Sequence, residues 1–167
     1  MKEIQLTRGQ VAIVDDIDYE RLLAYSWYAL YDNKMDGYYA VHNTGRKNGW
    51  KRISMHRFVT SAKKGQYVDH INHNTLDNRR CNLRICRPSQ NQANARLRSD
   101  NSTGYKGVRA YEGRYYAIIR VNGKGIHLGG YNTPQEAGMA YDKAAIKYFG
   151  EFALTNKQLL YRAENAF

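Results

Sequence analysis

The chain has 167 residues, 43% hydrophobic and 13% aromatic, with a formal net charge of +11. Two prolines and that apolar share argue for folded structure over disorder, and no window approaches the ~20 apolar residues of a membrane span. Two cysteines, Cys81 and Cys86, exclude a disulfide framework and a four-sulfur zinc site; buried reduced thiols are the expected reading, ahead of a mixed zinc site with His70 or His73.

The charge is unevenly spread. Residues 43 to 130 hold 18 Lys and Arg against 4 Asp and Glu, whereas residues 1 to 42 hold 4 against 7. Such a basic middle is the footprint of a polyanion binder, because each phosphate neutralised releases counterions. The alternative is a merely solvated basic face. Residues 1 to 5 lack the apolar core of a secretory leader, which predicts an intracellular protein.

In chain order, Ile4, Leu6, Val11 and Ile13 alternate about Arg8-Gly9 and predict a β-hairpin. Asp15 and Asp16 are cap candidates for a short helix carrying Tyr19, Leu22, Leu23 and Trp27. Residues 38–42 and 50–55 read as strands joined by a turn over 43–49, with Trp27, Tyr28 and Trp50 assigned to the core. Residues 55–59 start a helix, a strand ends at His70, and a polar loop follows. Its Asn and Asp side chains favour bonds to their own backbone over a regular element. Residues 81–85 return as a strand, and Pro88 opens a helix whose first-turn amides need no partner. Residues 96–104 have linker composition. Three further strands are predicted over 105–111, 114–121 and 124–131, the last two joined by Asn122-Gly123, the preferred pair of a two-residue hairpin turn. Thr133-Pro134-Gln135-Glu136 is a capping box, and the helix it starts places Ala137, Ala140, Tyr141, Ala144, Ala145 and Tyr148 on one face before Gly150 ends it.

The chemistry concentrates between Val68 and Asn91. Asp69 offers an anionic metal ligand, Asn91 a neutral carbonyl oxygen, and His70 a base whose ordinary pKa lies near neutrality. Together they suit phosphodiester hydrolysis, in which one hard cation offsets the phosphate's charge while an imidazole takes the proton of the attacking water. Neighbours on a strand point to opposite faces, so Asp69 and His70 can share a site only where the strand ends or twists. Asn82 is better placed to bond the loop backbone and hold His70 than to touch metal. His73 rivals His70, and spacing alone does not decide between them.

Met55-His56-Arg57, Val68-Asp69-His70-Ile71, Leu76-Asp77-Asn78-Arg79, Asn82-Leu83-Arg84 and Ser89-Gln90-Asn91-Gln92 together resemble the HNH endonucleases of the ββα-metal type found in phages and introns. The resemblance implies Asp69 and Asn91 as ligands of one divalent ion, Mg2+ or alternatively Mn2+, with His70 as general base and Asn82 as positioning residue. Asn91 stands where many members have His, and Cys86 where a Thr commonly caps the helix. A second resemblance covers residues 102–156. Gly104-Tyr105-Lys106-Gly107-Val108-Arg109, the strand around Tyr115-Tyr116, His127-Leu128-Gly129-Gly130-Tyr131 and the helix from Glu136 to Ala145 are similar to the APETALA2/ethylene-response-factor domain. That domain lays a three-stranded sheet in the DNA major groove; here it implies Arg109, Arg114, Tyr115, Arg120 and His127 as the DNA-facing set. Tyr115 and His127 stand where the family has tryptophans. Arg57, Arg84, Arg96, Arg98 and Lys106, from the basic middle, join the expected DNA contacts.

The expected whole is an α+β chain. It comprises a lead-in module (1–53), a ββα-metal nuclease (54–95), a linker (96–101), a sheet-and-helix DNA reader (102–156) and a tail (157–167). The function implied is a homing-endonuclease-like, site-directed DNA endonuclease in a bacterial or phage-infected cytoplasm, acting on duplex DNA as a monomer or homodimer. The alternative is a non-catalytic DNA-binding transcriptional regulator that keeps the scaffold.

Overall fold

The computed structural model describes residues 1–33, 36–45 and 49–164, with Arg162 through its backbone alone. The tip of the turn expected over 43–49, Arg46-Lys47-Asn48, lies outside the described residues. The fold is mixed α/β, with four small antiparallel sheets and a few helices among the described residues. Its contacts divide into two units, Met1–Cys86 and Arg87–Phe167, and no described helix is long and apolar enough to cross a membrane.

The first unit opens with a hairpin of β1 (Lys2–Gln5) and β2 (Val11–Val14), turned through Arg8 and Gly9 at φ of 61° and 65°. Helix α1 (Asp16–Leu23) follows, then β3 (Tyr28–Asp32), β4 (Gly37–Asn43) and β5 (Arg52–Ser54), paired in that order. Strand β3 was not foreseen. Its Tyr28-Ala29-Leu30-Tyr31-Asp32 run lacks a clean apolar alternation, and its pairing with β4 supplies the order. Helix α2 (Met55–Thr60) leads to β6 (Tyr67–His70), which pairs with β7 (Leu83–Cys86).

One core serves all of these elements except β3. Ile4, Ala12, Val14, Leu22, Trp27, Ala40, Met55, Val59 and Leu83 form a single buried cluster, so the first 53 residues share their interior with β7. The Trp27 indole N–H donates to the Leu22 carbonyl at 2.8 Å, which satisfies the ring's one polar atom on burial. Trp50, expected in the core, is instead 72% exposed, in the segment that precedes β5.

In the second unit α3 (Pro88–Ala93) precedes β8 (Val108–Tyr111), β9 (Arg114–Val121) and β10 (Lys124–Tyr131), with β9 central. Asn122 and Gly123, at φ of 50° and 79°, make the β9–β10 turn left-handed at both positions, as a two-residue hairpin of this twist requires. Helix α4 (Pro134–Phe149) starts at the predicted capping box: Glu136 N–H donates to Thr133 Oγ1 and Thr133 N–H to Glu136 Oε2, both at 3.2 Å. Ala137, Tyr141, Ala144 and Ala145 are buried with Val108, Ala117 and Ile119 of the sheet. Tyr148, assigned to that face, is 42% exposed. Residues 157–164 of the expected tail belong to a helix, α5 (Asn156–Glu164). Buried Asn156 ties it down, accepting from Lys106 N–H at 2.6 Å and donating to Asp142 Oδ1 at 2.9 Å.

Candidate functional site

Strand β6 ends at His70. The His73 N–H donates to the His70 carbonyl at 3.0 Å, and His73 adopts a φ of 65°. The loop beyond is built from side chains that replace the missing ladder partners. Asn72 N–H donates to Asn82 Oδ1 at 2.9 Å, Asn82 Nδ2 donates to the Asp77 carbonyl at 2.8 Å, and Ile71 N–H reaches the Asn82 carbonyl at 2.9 Å. Asn82, 5% exposed, thus staples both ends of the loop. Asp77 is 2% exposed and accepts from the Arg79 guanidinium at 2.8 and 2.6 Å and from Asn72 Nδ2 at 2.9 Å. The Arg79 bonds hold its carboxyl below the ordinary carboxylate value.

The amino-terminal elements clamp this loop from outside. Ile13 N–H donates to the Leu76 carbonyl at 2.9 Å, and Asn78 N–H returns to the Ile13 carbonyl at 2.7 Å. Thr75 Oγ1 donates to the Tyr38 carbonyl at 2.6 Å. Arg80 donates its N–H to Asp15 at 2.7 Å and grips the buried Asp18 carboxylate through two bonds at 2.7 and 2.8 Å. The lead-in residues therefore brace the loop that follows His70.

His70 is 6% exposed. Its ring packs edge-on against His56 at 5.2 Å and Tyr39 at 6.1 Å between centroids, and those two rings meet at 5.6 Å. Burial lowers the His70 pKa below 6.5, against the opposing pull of the Asn78 bond and of the Asp69 and Asp77 charges. The imidazole is thus neutral at pH 7 and able to accept a proton. Desolvation, aided by His70 and Arg57, pushes His56 down to about 3.

A pH dependence of stability follows from His56. The unfolded chain binds a proton there near pH 6.5 and the folded chain only near 3, so this contribution is fully present above 6.5 and is lost as pH falls between those values. The expected slope is at most about 1.4 kcal/mol per pH unit. Urea titrations at pH 7 and pH 4.5 on the parent and on His56→Gln check it; equal losses in both proteins would remove His56 as the cause.

Asp69 pairs across the ladder with Arg84, whose Nε and Nη2 both donate to Asp69 Oδ2, at 2.9 and 2.7 Å. The two side chains are 8% and 12% exposed. Arg84, expected on DNA, is thus turned inward to orient the Asp69 carboxylate, because antiparallel register sets the two residues opposite each other. Arg57 likewise serves the fold, donating to the carbonyls of Gln66, Ala62 and Lys63 at 2.6, 3.2 and 2.9 Å.

Cys86 is buried and its thiol is pushed up to about 11 by that burial and by the Asp69 charge, whereas Cys81 is exposed in the 3-10 turn over Arg80–Asn82. A protonated thiol is a poor zinc ligand. Among the described residues no three His, Cys, Asp or Glu side chains gather as a metal-holding group. Asp69, the carboxylate that precedes His70 in β6, has its Oδ2 held by Arg84; a hard, largely hydrated cation such as Mg2+ typically takes one or two protein oxygens and fills its other positions with water and phosphate. Asn91 lies in α3 of the second unit and is half-buried, its N–H donating to the Arg87 carbonyl at 3.0 Å.

The second unit's sheet presents two unlike faces. Cross-strand register places Val108, Ala117 and Ile119 toward α4, and Arg109, Tyr116, Ile118, Arg120 and His127 on the opposite, outer face. Arg109, Arg114, Arg120 and His127 are exposed. Tyr115, expected to face DNA, packs instead with Val108, Ala117 and Ala137, and Tyr116 holds the outward position. The alternation of Ala117, Ile119 and Val121 already carries that signal, since Tyr115 shares their parity. Lys106 Nζ donates to the carbonyls of Ala93 and Ala95, capping the end of α3. Arg98 bonds Asp100 at 2.8 Å, and Arg96 is exposed between α3 and β8.

No family model matches the chain. Over 157 residues it is 32% identical to an uncharacterized HNH endonuclease of Acanthamoeba polyphaga mimivirus, covering 90% of this chain and 76% of that protein. The chain belongs to the HNH endonuclease family. This HNH protein also shares 46% identity over 72 residues with an ethylene-responsive transcription factor of Arabidopsis thaliana, covering 37% of the chain and 17% of the plant protein. An APETALA2-like protein of Oryza sativa subsp. japonica is 45% identical over 51 residues, 29% of the chain and 12% of its own length. The chain thus spans less than a fifth of either plant protein. Sequence reading of this HNH protein missed Tyr39 and the packing of His56, which meet His70 only through the fold.

Proposed function

We propose that the chain is a metal-dependent, homing-endonuclease-like DNA endonuclease of the ββα-metal type, and that its APETALA2-like unit docks on the major groove of duplex DNA. The observation that carries this reading is the buried imidazole of His70, next in β6 to the Arg84-bound Asp69 and at the start of a loop stapled by Asn82.

In the proposed reaction His70 accepts the proton of a water attacking the scissile phosphorus, the P–O bond to the 3′ carbon's oxygen breaks, that oxygen takes a proton from solvent, and 5′-phosphate and 3′-hydroxyl ends result. Asp69 would serve as a ligand of one divalent ion, Mg2+ or Mn2+. The bound ion supplies counter-charge to the phosphate and the leaving oxygen. Arg84 holds Asp69 in a single orientation, and Asn82 holds the turn that carries His70. One such site per chain cuts one strand at a time.

Metal removal tests the reading. Supercoiled plasmid carrying random inserts is expected to be nicked or linearised with Mg2+ and left intact in EDTA, with activity restored by Mg2+ or Mn2+. Duplex binding without cleavage under every metal condition would replace the nuclease with a DNA-binding regulator.

A further inference from the structure

The outer face of the second unit's sheet carries apolar groups that folding does not account for. Its opposite face already holds the core against α4. Yet Ile118 stands on the outer face directly across from His127, with Tyr116 two residues away on the same strand. The Tyr116 and His127 rings lie 5.6 Å apart, tilted by 48°. With Arg109 and Tyr111 these residues line a shallow hollow of about 480 Å³.

Around it stand Arg109, Arg114 and Arg120, all exposed and forming no ion pair among the described residues. An apolar centre inside a ring of uncommitted guanidinium groups is complementary to a base edge flanked by phosphates. In the major groove, wide enough at about 12 Å for strands, the one apolar group on a base edge is the thymine 5-methyl.

We propose that Tyr116, Ile118 and His127 form a thymine-methyl pocket, so that this unit favours A·T steps bearing that methyl at the positions it covers. Arg109 and Arg120, at the pocket's flanks, pair with guanine or with phosphate and set the register. The inference rests on the reading of this face as a duplex binder and adds the chemistry of the base it reads.

The test uses the full chain in EDTA, where DNA is bound without being cut. Fluorescence anisotropy compares a 30-base-pair alternating A·T duplex with the same duplex carrying deoxyuridine in place of every thymidine. The deoxyuridine duplex is expected to bind at least about four-fold more weakly, the value of one buried methyl group. Ile118→Thr, which keeps a β-branched side chain in the strand, and His127→Asn are each expected to bring the ratio toward one, with thermal melts confirming that the unit stays folded.

Equal affinity of the parent for the two duplexes overturns the methyl pocket and leaves duplex binding standing. Failure to bind either duplex, or a mixed-sequence one, overturns the duplex reading itself. A thymine preference that survives in both folded variants assigns it elsewhere and overturns the pocket.

Discussion

His70→Ala is expected to lower the rate of DNA cleavage by roughly 10²- to 10⁴-fold, the usual worth of a positioned general base, while duplex affinity stays unchanged. Burial keeps the imidazole neutral at pH 7, so it begins the reaction in the form that accepts a proton. Its ring packs edge-on against His56 and Tyr39, so it enters the reaction already positioned. Alanine removes the base and leaves a hole among those rings, so a melting curve must accompany the kinetics to separate lost chemistry from lost structure. Affinity is expected to hold because the residues proposed to address the duplex stand on β8, β9 and β10. Cleavage by a folded His70→Ala protein at a tenth or more of the parent rate would move the base to another group, with His73 the first to examine.

Gly107→Ala is expected to destabilise the second unit by roughly 2 to 5 kcal/mol, from overpacking together with backbone strain. Gly107 has a φ of 73°, and a β-carbon added there would lie 1.9 Å from Cδ2 and 2.3 Å from Cε2 of Tyr141. Tyr141 cannot step aside easily. It is 6% exposed, packed among Ile119, Ala144 and Ala145, and its phenol is pushed up to about 12 by that burial. The missing side chain at Gly107 leaves the Tyr141 ring the space beside the backbone that leads into β8. Gly113 supplies the control: its φ is also 73°, but nothing stands within 4 Å of an added β-carbon, so Gly113→Ala carries only the strain. Urea titrations of the three proteins measure the difference. Equal destabilisation by both alanines would show that the Tyr141 contact is relieved without cost.

Much of the candidate site was legible because its residues are local in sequence. The Asp69-His70 pair, the polar loop and Asn82 all fall within 14 residues, and polar side chains that bond their own backbone announce a built loop before any tertiary contact is known. The capping box of α4 and the Asn122-Gly123 turn were equally legible, each stating its conformation in two to four residues. The failures were of another kind. Trp50 was placed in the core by its size, whereas it stands exposed in the segment that precedes β5. Arg57, Arg84 and Lys106 were assigned to DNA by their charge, whereas the fold turns them toward carbonyl groups and the Asp69 carboxylate. Composition counts charges; it does not say which of them folding has already neutralised.

By itself the sequence determined the type of most elements, β3 and α5 apart, the order of the loop's polar residues and the concentration of positive charge, since each depends on neighbours within a few positions. The tertiary structure alone decided that Ile13 and Asp18 brace the loop from more than 60 residues away, that Tyr39 and His56 wall in His70, and that Arg84 belongs to Asp69. It also decided that one interior serves the amino-terminal hairpin and β7 together. Those pairings join groups far apart along the chain. They exist because burying apolar surface draws the elements together, and each buried polar group left inside must then find a partner wherever the packing puts one.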